Sequence, residues 1–144
     1  MPEAVNNTEV VAALRAARDR LNHGGHHWIK AALTRWVRKD AEPGSPAYKG
    51  RTRKTKEFSE KAFCSLGAIN ATTVANGPAR TAAKIALAET IDKSRFEYLQ
   101  KQGSSKLRAA ENIIIIWNDR GSRRWPEVRD AFTKTARRLS QRKS

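Results

Sequence analysis

Four consecutive isoleucines and a tryptophan, Ile113-Ile114-Ile115-Ile116-Trp117, constrain this chain more than any other stretch. It is the one strongly apolar run in a sequence whose mean hydropathy is −0.71. Burial is expected for all five side chains, since each large apolar group left in water forfeits about 1.5–3 kcal/mol. The run stops abruptly at Asn118-Asp119-Arg120-Gly121. Asn118 and Asp119 are therefore expected at the rim of the core, where they can cap a neighbouring helix or face a ligand. β-Branched residues favour strands, but no second segment reads as a partner strand, and a lone strand leaves its backbone groups unpaired. The end of a helix is the preferred reading. The expected fold is all-α, a single compact helical domain over 1–144 with about five or six helices and one basic Pro/Gly-rich loop.

Charge supplies the first functional constraint. Lys and Arg total 29 against 14 Asp and Glu, a formal charge of +15 on 144 residues. Hydrophobic residues at 39% are too many for a disordered chain. Such an excess of cations repels itself, and a nucleic acid or other polyanion is the partner that relieves it; the alternative is a charge that only maintains solubility. A single cysteine forms no internal disulfide, and no Cys/His spacing matches a zinc site. The opening Met1-Pro2-Glu3-Ala4-Val5-Asn6-Asn7 lacks the basic start and apolar core of a signal peptide. No apolar run approaches the roughly 18 residues of a membrane span. A cytoplasmic protein with no membrane partner and no cofactor is expected.

Along the chain, Asn6 and Glu9 suggest a capping box before a helix carrying Val10, Leu14, Ala17 and Leu21, closed by Gly24-Gly25. A second helix is expected from about His27 to Arg38, with Ile29, Leu33, Trp36 and Val37 on one face. His23 and His27 stand four apart with glycines between them, which favours exposed turn histidines over a rigid metal site. Residues 39–56 form the basic loop: Pro43, Gly44, Pro46 and Gly50 forbid a continuous helix, and Lys49, Arg51, Arg53, Lys54 and Lys56 follow Tyr48. Such a loop neutralises phosphates and stacks a base, or is simply a solvated charge run. A third helix is expected over Phe58, Ala62, Phe63, Leu66 and Ile69, capped by Thr55, with Cys64, Gly67, Ala68 and Ala71 as a small-residue stripe. Asn76-Gly77-Pro78 starts a fourth, and Ser94 with Glu97 suggests a new helix or a kink. Trp125-Pro126-Glu127 opens the last helix, with Val128, Phe132 and Leu139 inward. From Arg120 onward nine basic residues face two acidic ones, and the chain ends in a basic tail at 140–144.

The order Trp28-Ile29-Lys30-Ala31-Ala32, then Cys64-Ser65-Leu66-Gly67-Ala68, then Trp117-Asn118-Asp119, then Glu127-Val128 resembles a family of small bacterial and phage proteins catalogued as a domain of unknown function. That family carries Trp-x-Lys-Gly-Ala, Cys-x-x-Gly-Ala and Trp-Asn-Asp segments, and the likeness runs from about Trp28 to Phe132. Ala31 stands where the family usually has glycine, and Arg124 where it has a threonine cap. The resemblance implies a helical fold and a phage or mobile-element origin. It supplies no activity. Its motif residues here are Trp28, Lys30, Cys64, Gly67, Trp117, Asn118 and Asp119.

Three functions compete. The first is a basic accessory protein that binds nucleic acid mainly through phosphates, using Lys49, Arg51, Arg53, Lys54, Lys56, Arg120, Arg123, Arg124, Trp125, Arg137 and Arg138. The second is a binder of a small anionic ligand such as a nucleotide in phage–host conflict, with Asn118 and Asp119 reading the ligand beside the arginines. The third is a thiol enzyme combining Cys64, a histidine and Asn118 or Asp119; no catalytic residue is assigned, because the spacing does not single out such a trio. For Asp119 itself the expected role is structural, capping the last helix or pairing with an arginine. Cys64 is expected in the core.

Overall fold

The computed structural model describes residues 6–22, 28–29, 34–38, 51–58, 60–72 and 76–141. Among them are five helices: α1 (Asn7–Asn22), α2 (Ser65–Asn70), α3 (Gly77–Lys101), α4 (Lys106–Asp119) and α5 (Trp125–Ser140). Two short strands, β1 (Thr34–Val37) and β2 (Glu60–Phe63), sit between α1 and α2. The fold is thus predominantly helical, as expected. α3 lies along α4, and α1 along α5, with α2 wedged against α1, α3 and α4. One core collects residues from all five helices, including Leu14, Leu87, Ile114, Val128 and Phe132, together with Trp28 and Phe63.

Local chemistry accounts for most helix ends. Asn6 Oδ1 accepts the Thr8 N–H at 2.8 Å to start α1. Asn76 Oδ1 accepts from Ala79 N at 2.9 Å, with Pro78 in the first turn of α3. α3 ends in a Schellman turn: Gly103 N–H donates to Gln100 O and Ser104 N–H to Leu99 O, with Gly103 at φ +99°. Ser105 Oγ then caps α4 through Arg108 N at 3.2 Å.

Four expectations are corrected. The segment expected as a second helix carries β1 instead, antiparallel to β2 in the register Thr34↔Phe63, Arg35↔Ala62, Trp36↔Lys61 and Val37↔Glu60. Its residues Leu33 and Lys30 lie outside the described set. Accordingly, the third helix is shorter than expected: Glu60–Phe63 is strand, and only Ser65–Asn70 is helical, with Cys64 rather than Thr55 at its cap. Thr55 Oγ1 instead accepts from Phe58 N in a turn. The β-branched and aromatic residues of Thr34–Val37 satisfy a strand as readily as a helical stripe. Pairing on both sides decides, since Trp36 also exchanges both backbone hydrogen bonds with Arg51, at 2.8 and 2.7 Å.

The isoleucine run is helical, as expected, but it is not wholly buried. Ile113 and Ile114 are in the core, whereas Ile115 and Ile116 are 39% and 55% exposed and Trp117 is half-buried. Four successive residues on a helix span all its sides, and α4 has only one side against α3 and α2. Finally, the expected break near Ser94 lies at Asp92, which leaves helical geometry (φ −158°, ψ 79°) and accepts the Arg95 N–H on its carboxylate. Asp92 thereby caps the second half of α3.

Candidate functional site

Among the described motif residues, Trp28 and Asp119 both bond to Asn118. Its side chain is fully buried at the end of α4. Asn118 Oδ1 accepts from Trp28 Nε1 at 2.6 Å, Ser65 N at 2.9 Å and Ser65 Oγ at 2.6 Å. Its Nδ2 donates to Ile29 O and to Asp119 Oδ1, each at 3.0 Å. One amide thus ties α4 to the start of α2 and to the segment at Trp28-Ile29, which itself bonds β2 through Ile29 N–H to Phe63 O. Every donor and acceptor of that amide is engaged, so Asn118 is an architectural hub and not a free ligand reader.

Cys64 sits beside the hub as the N-cap of α2, its Sγ accepting from Gly67 N at 3.4 Å. Burial pushes the thiol above its ordinary pKa, the nearby Asp119 carboxylate adds to this, and backbone N–H groups of Gly67 and Leu66 act against it. The thiol is therefore protonated at neutral pH. The histidines of the thiol-enzyme and metal readings (His23, His26 and His27) lie outside the described residues. Among the described residues no three potential metal ligands cluster.

Asp119 does not perform the expected cap of α5. That role belongs to Glu127, whose Oε1 accepts the Arg124 N–H at 3.0 Å while its Oε2 pairs with Arg123 at 2.9 Å. The Arg124 amide, followed by the Arg123 guanidinium, holds the exposed Glu127 carboxyl below its usual range. Arg123 also stacks 4.1 Å over the Trp117 ring and donates through Nε to Trp117 O at 3.0 Å. It clamps the end of α4 to the start of α5.

Of the cations named from sequence, Arg51, Arg53, Lys54, Lys56, Arg120, Arg124 and Arg137 are exposed. Arg138 is half-buried and donates to Ala86 O of α3 at 3.0 Å. Trp125 is buried, 6.5 Å from the Trp28 ring, and belongs to the core. Lys49 and Tyr48 lie outside the described residues.

The structure adds Trp36, a residue expected on the core face of a helix. Directly opposed residues in an antiparallel sheet share a face, so Arg51, Trp36 and Lys61 form one row across three segments. Lys54 Nζ lies 5.3 Å and Lys61 Nζ 5.8 Å from the Trp36 ring centre. Lys61 also reaches the Phe63 ring, which Arg20 of α1 approaches at 5.4 Å. Arg51 lies 5.0 Å over Phe58. Next to this row, Arg51, Thr52, Arg53, Thr55, Lys56 and Phe58 line an open concavity of about 620 Å³. Glu57 also lines it, so the surface is mixed but cationic in balance. The signal available in the sequence was the β-branched and aromatic content of Thr34-Arg35-Trp36-Val37, close to the basic loop.

These features define a class: a small basic helical domain that carries a short cationic–aromatic sheet and a buried polar hub at Asn118. More particularly, the chain belongs to a family of unknown function, DUF6197, which matches residues 5–138. No curated protein and no solved structure matches it. Among the described residues no helix is long and apolar enough to cross a membrane.

Proposed function

We propose that the protein binds nucleic acid mainly through phosphate contacts, on the sheet face that carries Arg51, Trp36 and Lys61. The observation supporting this reading is that cross-strand row. Gathering Lys54 and Lys61 around one indole concentrates like charge, which a phosphate backbone neutralises with release of its counterions. The half-buried Trp36 ring offers a base a stacking surface once a lysine swings onto a phosphate. Arg53 and Lys56 extend the cationic edge, and Arg120, Arg124 and Arg137 supply a second set of exposed cations near and along α5. None of these groups is arranged to read base edges, so affinity rather than sequence choice is the expected property. The cytoplasmic location and the phage or mobile-element setting implied by the resemblance belong to the same proposal.

The test is fluorescence anisotropy with a labelled oligothymidine and with a labelled duplex, each titrated across salt. Binding whose logarithm falls linearly with the logarithm of salt concentration is expected. Lys54→Glu and Lys61→Glu should each weaken it and reduce the salt slope by about one unit or more. Trp36→Ala should weaken single-strand binding with little change in slope. Absence of salt-sensitive binding to either probe by a folded protein would end this reading.

A further inference from the structure

A second concavity, of about 230 Å³, lies between the break in α3 and the C-terminal end of α4. Its apolar lining is Ile91, Ile113 and Ile116, and Ile116 is 55% exposed, unusual for an isoleucine in so polar a chain. Around it stand Arg95, Arg120 and Asp92, with Arg123 against Trp117 as one wall. Asp92, where α3 leaves helical geometry, lies in the lining of this cleft.

Local charge selects the ligand. The Arg123 guanidinium is engaged by Glu127 and the Trp117 carbonyl. The Asp92 carboxylate accepts the Arg95 backbone N–H. The Arg95 and Arg120 side chains are exposed and enter no ion pair among the described residues. Two guanidinium groups against one carboxylate leave a single net positive charge. That matches one carboxylate, which a guanidinium binds in a two-point fork; a phosphate dianion would exceed it. The isoleucine lining in turn calls for an aliphatic body. We propose that this cleft binds a carboxylate carried on a short aliphatic chain, either a free branched acid or the C-terminal residue of a peptide. The inference does not rest on the nucleic-acid reading, whose supporting row is on the sheet; the two share only Arg120.

A 1H–15N chemical-shift titration of the full chain tests it. The probes are 4-methylpentanoate, a pentapeptide ending in leucine with a free carboxylate, the same peptide amidated, and inorganic phosphate. Saturable shifts at the amides of residues 92–96 and 116–120 are expected with at least one carboxylate probe, and the tighter of the two identifies the source. The amidated peptide and phosphate should not saturate the same amides. Arg95→Gln and Arg120→Gln should each weaken binding by about tenfold or more, with unchanged spectra elsewhere showing that the fold is kept. Lys54→Glu, beside the Trp36 ring, should leave carboxylate binding intact. Failure of both carboxylates to saturate, or carboxylate binding indifferent to both arginine variants, overturns the proposal. So does tighter binding of phosphate or of an oligonucleotide at these amides, which would assign the cleft to the nucleic-acid surface.

Discussion

Replacing Asn118 by alanine should be among the most damaging single changes available to this protein. The substitution removes the acceptor of Trp28 Nε1 and Ser65 N and the donor to Ile29 O. The Ser65 hydroxyl can rotate to another acceptor and is not stranded. Each buried polar group stranded without a partner costs about 1–3 kcal/mol, so three give roughly 3–9 kcal/mol. Water entering the vacated volume moves the figure toward the lower end, and about 3–5 kcal/mol is expected. Against a typical total of about 5–15 kcal/mol, that removes much of the stability. Urea unfolding followed by tryptophan fluorescence measures it. Asn118→Asp is the informative companion: it keeps the acceptor, loses the Ile29 bond and places a second carboxylate beside Asp119. Burial and that neighbour raise the folded pKa of the introduced group, so its damage should be least at acid pH and grow as pH rises. A loss below about 1 kcal/mol for Asn118→Ala, together with abolished ligand binding, would refute the hub and reinstate Asn118 as a binding residue.

Three further outcomes are expected. Glu111→Ala strands the nearly buried Lys84, whose Nζ lies 2.9 Å from the Glu111 carboxylate, and should cost about 1–3 kcal/mol in urea unfolding, moderated because Glu111 is partly exposed. Gly103→Ala forces a side chain into the left-handed conformation at φ +99°; a loss of about 1 kcal/mol should appear as a lowered Tm, since nothing lies close enough for a steric clash. Cys64 should react with a thiol reagent far more slowly in the native protein than in urea. Because burial raises its folded pKa, stability is unaffected below the unfolded thiol value of about 8.5 and declines as pH rises through it. Rapid native-state labelling at neutral pH would contradict the buried, protonated thiol.

The sequence by itself determined the helical character, the helix starts at Asn6 and Asn76, the stop at Gly103 and the inward faces of α1 and α5. These depend on neighbours within a turn or two, which the local chain carries with it. It also determined the cationic excess, which needs no coordinates. Tertiary structure alone decided the rest. Trp28-Ile29 and Thr34–Val37 show apolar spacing compatible with a helix, and only the distant Glu60–Phe63 and Arg51 make a strand the better way to satisfy the backbone. Which isoleucines of the run are buried depended on which side of α4 meets α3. The roles of Asn118 and Asp119 could not be separated along the chain, because the partners of Asn118 stand 90 and 53 residues away in Trp28 and Ser65. A polar side chain at the end of an apolar run has one appearance in sequence, whether it faces solvent, a ligand or a buried ring of donors; packing chooses among them.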